Sequence, residues 1–322
     1  MKKRMLLLIC VVTVGSLSLQ NGALAKALWG VGEWAAMATL SRSFSPGETI
    51  TLETGQGYEE GLFVTTTETE SGSSAPVVNL SINNGKYAVT ENIAVKNGTS
   101  YAVDVASLLA EGFAKPTLSS DQPTVLIYHT HTTESYADAG SGYSDDTDKG
   151  VVGVGEAMKE VFESRGLKTI HLTDNYIDTG AFKQAYTRSL AGVEAVLQKY
   201  PSIQIVLDIH RDSITEGNTE YCPLTTLDGE EYAQIMVISG SDALGLSHPT
   251  WRQNLKYGLA LVAQLQEDYP GISRPLNLNA NRYNTHTTPY ALLIEVGGGA
   301  NTSAQAKRSG RAVAESICNI VI

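Results

Sequence analysis

Thr124-Val-Leu-Ile-Tyr128 runs straight into His129-Thr-His131-Thr-Thr-Glu134. A short continuous apolar run that stops at polar residues is the pattern of a strand buried on both faces, as in a parallel sheet covered by helices. The same signature recurs downstream. Ile203 to Ile209 ends in His210-Arg-Asp212, and Tyr290 to Val296 carries Glu295 near its end. Lys168 to Leu172 and Tyr232 to Ser239 read as further strands. Helical patterns separate them. Val154, Met158, Val161 and Phe162 share one face of a helix expected from about Val152 to Arg165, with Gly166 as its stop. Other helices are expected at about Ala181 to Lys199 and at about Ser303 to Ile317. A long one runs from Pro249, at its first position, to Asp268, burying Trp251, Leu255, Leu259 and Val262. This alternation predicts an α/β fold with a largely parallel sheet flanked by helices on both faces.

Composition sets the bounds. With 322 residues, 42% of them apolar and 18% charged, the chain suits one globular domain plus an appendage, and it is too apolar to be disordered. A net charge of −11 would repel a polyanion, so nucleic acid is excluded as a partner. Lys2, Lys3 and Arg4 precede an apolar stretch from Met5 to about Leu19, and Ala23-Leu-Ala25 follows, so residues 1–25 read as a signal peptide or membrane anchor of an exported protein. Beyond that segment only Cys222 and Cys318 remain, too few and too distant to form a disulfide framework, although the two could pair outside the cytoplasm. Residues 26–95 are weakly patterned. Short β-like pieces at Thr49 to Thr54, Leu62 to Thr66 and Val77 to Ile82 suggest a small β-rich or partly flexible N-terminal region ahead of a larger domain at 96–322.

In open α/β sheets the ligand crevice lies beyond the carboxyl ends of the strands. Three such ends here carry His, His and Glu. His131-x-x-Glu134 sets an imidazole and a carboxylate close enough to share an ion, and His210 from another strand would complete a His2Glu zinc set with an open position. Such an ion acidifies water for hydrolysis, and a nearby carboxylate, here Glu295, must move the proton. Blander readings exist for each residue. His-x-x-Glu arises by chance, strand-end histidines are commonly solvated, and Glu295 could pair with an arginine. His171, within a strand, and His248, at a helix start, read as structural, and His286 is unassigned. Gly153-Val-Gly155 lacks the third glycine of a dinucleotide fingerprint. Gly297-Gly-Gly299 reads as a sharp turn. There is no Gly-x-Ser-x-Gly elbow, and Cys222 has no adjacent base, which argues against serine and thiol hydrolases.

Tyr128-His-Thr-His-Thr-Thr-Glu-Ser-Tyr136, Asp208-Ile-His-Arg-Asp212 and Leu293-Ile-Glu-Val-Gly-Gly298 resemble the stage II sporulation protein P family of spore-forming bacteria. Tyr186-Thr-Arg-Ser189, His248-Pro-Thr-Trp251, Arg282-Tyr-Asn284 and Lys96-Asn-Gly-Thr-Ser-Tyr101 add to the likeness, which covers about residues 96 to 310. Thr285-His-Thr-Thr288 departs from it. The resemblance implies an N-acetylmuramoyl-L-alanine amidase-like fold with one catalytic Zn2+. It implies a peptidoglycan hydrolase that cuts the amide between N-acetylmuramic acid and L-alanine, and peptide cross-links, during forespore engulfment. A metallo-endopeptidase or carboxypeptidase of wall peptides and an inactive wall-binding scaffold are the alternatives. Implied partners are stage II sporulation protein D, a lytic transglycosylase, and stage II sporulation protein M. The implied location is the outer face of the cell membrane or the intermembrane space of the sporangium, anchored or released. The ligands carried over are His131, Glu134 and His210, with Glu295 catalytic. His129 could replace His131, or bind substrate instead, and Asp146 or Asp148 could replace Glu134. Arg211 is expected to clamp a stem-peptide carboxylate, or else to pair with Asp212 or Glu295.

Overall fold

The computed structural model describes residues 52–54, 58–60, 77–78, 88–90 and 93–322, apart from 178–183 and 217–218. The expected targeting segment at 1–25, the piece at 62–66, parts of those at 49–54 and 77–82, and the start of the helix expected near 181 lie outside the described residues. Short pairings occur upstream of the main sheet, Leu52–Thr54 with Tyr58–Glu60 among them.

The strands of the main sheet are β1 (Ala88–Thr90), β2 (Ile93–Asn97), β3 (Val125–Tyr128), β4 (Thr169–His171), β5 (Ile205–Asp212), β6 (Ile235–Ser239), β7 (Leu276–Leu278) and β8 (Tyr290–Gly298). They form one eight-stranded sheet in the order β1-β2-β7-β6-β8-β5-β3-β4. Pairing is parallel from β8 through β5 and β3 to β4, and again from β6 through β7 to β2. β6 runs antiparallel to β8, and β1 antiparallel to β2. The largely parallel sheet expected from the sequence is present, with two reversals that side-chain periodicity does not encode.

The helices are α1 (Val105–Glu111), α2 (Val151–Ser164), α3 (Ala185–Lys199), α4 (Trp251–Asp268) and α5 (Ser303–Val321). Val125, Ile127, Ile205, Leu207, Ile209, Leu292, Ile294 and Val296 face one side, where α1, α2, α4 and α5 complete the larger core. Leu126, Tyr128, Val206 and Ala291 face the other, packing with Val193 of α3. Period-two alternation in doubly buried strands makes this division. Among the described residues, no helix is long and apolar enough to cross a membrane.

Some local expectations change. The strand expected over Tyr232 to Ser239 breaks at Gln234: Glu230–Ala233 pairs with Cys222–Leu227 in a separate small sheet, and only Ile235–Ser239 enters the main one. Pro249 precedes α4 rather than opening it; His248, read as structural, bonds Thr285 Oγ1 from a buried position. Gly297 and Gly298 still belong to β8, whose register with β5 shifts between Glu295 and Gly298. Gly297 takes φ +72°, and a Cβ there would lie 2.6 Å from Asn301 Oδ1, so the turn read from the sequence is a bulge requiring glycine. Cys222 and Cys318 are both free thiols, buried and unpaired with each other.

Buried Asn254 of α4 joins that helix to the approach to β8. Its Nδ2 donates to the carbonyls of Thr285, Thr288 and Ala291 at 2.9, 2.9 and 2.8 Å. Two amide hydrogens thus serve three acceptors. Asn254→Ala should lower the unfolding free energy by about 2 kcal/mol, since it strands buried carbonyls. Urea unfolding of both proteins measures the difference, and an unchanged midpoint would refute the role.

Candidate metal and hydrolytic site

The site lies on the α3 side of the sheet, at the carboxyl ends of β3, β5 and β8. Because Leu207 and Ile209 enter the larger core, Asp208 and His210 must face the other way. Glu295 pairs in register with His210 on the neighbouring strand, so the two emerge side by side. His131 and Glu134 come from the long connection between β3 and α2, where the chain leaves the extended conformation and turns back over the sheet.

These segments meet. His131, Glu134 and His210 form the group, among the described residues, whose ligand atoms lie within 4.8 Å of one another. Glu134 bridges the pair, with Oε1 3.0 Å from His131 Nδ1 and Oε2 3.3 Å from His210 Nδ1. The His210 side chain is 3% exposed and that of His131 16%, so the cluster opens to solvent past His131. Behind it, His210 Nε2 lies 2.9 Å from Asp208 Oδ1, an ionic contact rather than an aligned hydrogen bond. Asp208 in turn accepts from Thr130 N at 2.9 Å and Thr130 Oγ1 at 2.7 Å. Thr130 Oγ1 meets Ser189 Oγ, and Asn284 Nδ2 donates to Ser189 Oγ and to the Tyr186 carbonyl. The Tyr186 ring lies parallel to that of His210 at 6.3 Å and edge-on to His131 at 5.5 Å.

The electrostatics call for positive charge. Burial opposes a charged His210, yet the Asp208 and Glu134 carboxylates outweigh it and raise the imidazole pKa well above its ordinary value. Burial likewise works against the ionised Glu134, but His210 and His131 hold its pKa below the usual carboxylate range. Two nearly buried carboxylates therefore recruit a proton onto the histidine between them. A divalent cation on the same three donors would answer the same demand, with Asp208 oriented toward the outer nitrogen of His210, so the residues fit such an ion. Glu295 contrasts with them. Burial, then the Asp212 and Glu134 charges, push it up to about 8, against opposing pulls from His210 and Arg274. Its Oε2 is sealed from solvent without a hydrogen-bond partner.

Other expected residues stand elsewhere. His129 continues the alternation of β3 into the opposite face, completely buried, where Nδ1 meets the Ile209 carbonyl at 2.9 Å and Nε2 meets His171 Nε2 at 2.8 Å. It neither joins the cluster nor reaches a ligand-accessible surface. His131 escapes that alternation only because the chain turns after Thr130. Gly155 of α2 makes room for the histidine pair, since a Cβ there would lie 2.6 Å from His171 Nε2 and 2.8 Å from His129 Nε2. Asp148 pairs with Lys307, and Asp146 precedes a short 3-10 turn outside the cluster. Arg211 is buried, donating from Nε to the Ser135 carbonyl, from Nη1 to that of Asp212 and from Nη2 to that of Gly142. Its fork grips the Ser135 and Gly142 carbonyls of the loop, and Arg274 is the cation that pairs with Asp212. Asp208 went unassigned in the sequence, although Asp208-x-His210 on a strand places both on one face.

Compared with known proteins, the family model for stage II sporulation protein P matches residues 58–318. Stage II sporulation protein P of Bacillus subtilis (strain 168) is 28% identical over 212 residues, which are 61% of this chain and 51% of the relative. The chain thus spans about half the length of the curated relative it matches. Among solved structures, it is similar to the N-acetylmuramoyl-L-alanine amidase AmiC2 of Nostoc punctiforme, at 12% identity and a TM-score of 0.37 over 64% of this chain and 97% of that one. The CwlD amidase from Clostridioides difficile, in complex with the GerS lipoprotein, gives 12% identity and a TM-score of 0.37 over 60% and 94%.

Burial lowers the His129 pKa from 6.5 to about 3. The unfolded imidazole takes up a proton that the folded one refuses. Stability from this group is therefore complete above pH 6.5 and is lost as the pH falls toward 3. Between pH 7 and pH 5 the loss should be about 2 kcal/mol, and His129→Gln should remove that part of the pH dependence. Urea unfolding at both pH values tests it; an equal pH dependence in the two proteins would contradict it.

Proposed function

Because the chain belongs to the stage II sporulation protein P family, we propose that it is an exported, zinc-dependent peptidoglycan hydrolase of sporulation that cleaves the amide between N-acetylmuramic acid and L-alanine. The observation that carries this reading is the convergence of His131, Glu134 and His210, with Glu295 in register beside His210. In it, those three residues hold the zinc. The ion supplies Lewis acidity toward the scissile carbonyl and the means to acidify water near neutral pH.

The chain's own groups do the rest. Asp208, held by Thr130, fixes the orientation of the His210 ring. Glu295 moves the proton: a carboxyl raised to about 8 both takes and returns a proton near neutrality, as a general base that becomes a general acid must. Its Oε2 has no competing hydrogen-bond partner. Tyr186 covers the histidine pair on the α3 side and limits the water reaching it.

Two variants test this assignment on purified sacculi. Glu295→Gln should keep its zinc but release stem peptides at least about 100-fold more slowly. His131→Ala should lose both zinc and release. Near-normal release by the glutamine variant would remove Glu295 from the mechanism, and a protein indifferent to zinc and chelator would overturn the whole reading. Mass spectrometry identifies the bond: free stem peptides beside intact glycan indicate the amide, whereas loss of cross-linked dimers alone indicates an endopeptidase. In a separate measurement, Asp208→Asn should weaken zinc binding about 10–100-fold in a competitive chelator titration. An unaltered affinity would reduce Asp208 to a structural group.

A further inference from the structure

Tyr143 is a large aromatic residue on the loop that carries His131 and Glu134, and it is 54% exposed. A lone exposed tyrosine is ordinary. This one is held in place. Its backbone forms an antiparallel bridge with Glu134, flanked by Ser135 N to the Gly142 carbonyl at 3.1 Å and Ser144 N to the Thr133 carbonyl at 2.9 Å. Directly opposed residues of an antiparallel pair project to the same side, with Cβ atoms about 4.5–5.5 Å apart. Tyr143 therefore stands on the same side of the loop as the Glu134 carboxylate.

Arg211 fixes the ring. Its guanidinium lies 5.4 Å from the Tyr143 ring centroid, and its hydrogen bonds to the Ser135 and Gly142 carbonyls of the loop and to the Asp212 carbonyl of β5 keep it there. The buried arginine thus serves as the floor of an exposed aromatic plate. It also leaves little room below: a Cβ on neighbouring Gly142 would lie 3.1 Å from Arg211 Nη2.

We propose that Tyr143 is a stacking platform for the muramic acid ring of the glycan strand, and so a specificity-determining residue. This rests on the hydrolase reading above and deepens it. In the amide proposed for cleavage, the lactyl ether separates the carbonyl carbon from the sugar by only a few bonds, roughly 5 Å. A substrate whose carbonyl sits at the His131–Glu134–His210 cluster must therefore put its pyranose within about one residue's reach of Glu134. Tyr143 is bridged to Glu134, which sets their Cβ atoms about 4.5–5.5 Å apart. Flat aromatic rings with a polar tip suit the C–H face and rim hydroxyls of a sugar. A peptide cross-link has no such ring beside its scissile bond, so the platform favours the sugar-proximal amide.

The experiment uses the full chain with Tyr143→Ala, Tyr143→Phe and Tyr143→Trp. A lysozyme-released disaccharide peptide serves as substrate, and a peptide-free GlcNAc–MurNAc tetrasaccharide serves as the binding probe. For Tyr143→Ala, KM should rise and tetrasaccharide affinity fall about tenfold, while the aromatic variants stay within about threefold of the parent. Zinc content, measured in parallel, should be unchanged, which separates the platform from a collapsed loop. Equal affinity and equal KM in all four proteins would overturn the proposal, as would a loss in Tyr143→Ala that neither aromatic variant restores. Tetrasaccharide binding requires no turnover. Tyr143-dependent binding by a protein without hydrolase activity would sink the hydrolase reading and leave the platform standing. Tyr143-independent turnover would do the reverse.

Discussion

Alternation along β5 is the constraint from which the rest of the site follows. Leu207 and Ile209 are wholly buried in the core formed with α2, α4 and α5. Their burial leaves Asp208 and His210 on the opposite face, whatever these two residues would prefer. A one-residue slip of β5 would exchange the two sets and place an aspartate and a histidine among aliphatic side chains. The hydrophobic term that drives the sheet together thereby fixes the register of the chemistry. Parallel pairing with β8 then brings Glu295 alongside His210 without any side-chain contact having to arrange it.

Charge supplies the second constraint. Asp208 and Glu134 flank His210 with little solvent to screen them, and a positive charge between them is what makes the arrangement tolerable. A proton or a divalent ion meets the same need, and the two compete for the same imidazole nitrogen. Glu295 stands outside this balance, beside Asp212, with Arg274 committed to the latter. The result is two kinds of carboxyl in one site: one held ionised by histidines, one inclined to keep its proton. Such a divergence of carboxyl groups is the usual physical basis for dividing ligand and proton-transfer duties in a single site.

The sequence made the strand-borne half of this legible. The apolar runs ending at Tyr128, Ile209 and Val296 announce buried strands, and the ionisable residues at their ends mark one edge. Less legible was anything dependent on direction. The antiparallel entry of β6, the break at Gln234 and the addition of β1, β2 and β7 are matters of pairing, which periodicity does not specify. His129 and His131 could not be separated by spacing alone, because an extended chain would point both the same way. The turn beginning at Thr130 decides between them, and it is set by Asp208, distant in sequence, capturing the Thr130 amide and hydroxyl. Arg211 illustrates what sequence leaves out: its charge is visible there, whereas its bonds to the Ser135, Asp212 and Gly142 carbonyls depend on the fold.

His210 and Glu295 sit on central strands and inherit their rigidity, whereas His131 and Glu134 sit on a loop and must acquire theirs. Long connections without regular structure open locally at little cost unless something ties them down. Here the ties are many and unlike one another. Arg211 takes the carbonyls of Ser135 and Gly142, and the Glu134 Oε2 accepts from the Arg211 amide at 3.2 Å. The fully buried Tyr136 hydroxyl donates to the Val296 carbonyl of β8. Asp138 accepts from the Ser303 amide and hydroxyl at the first turn of α5, and Lys307 of the same helix pairs with Asp148. The loop is thus fastened to β5, to β8 and to α5, each through polar contacts with residues distant in sequence. The ligand cluster therefore depends on contacts supplied by the rest of the fold, so a destabilising change far from it, at Asn254 for instance, would loosen the His131 side before the His210 side.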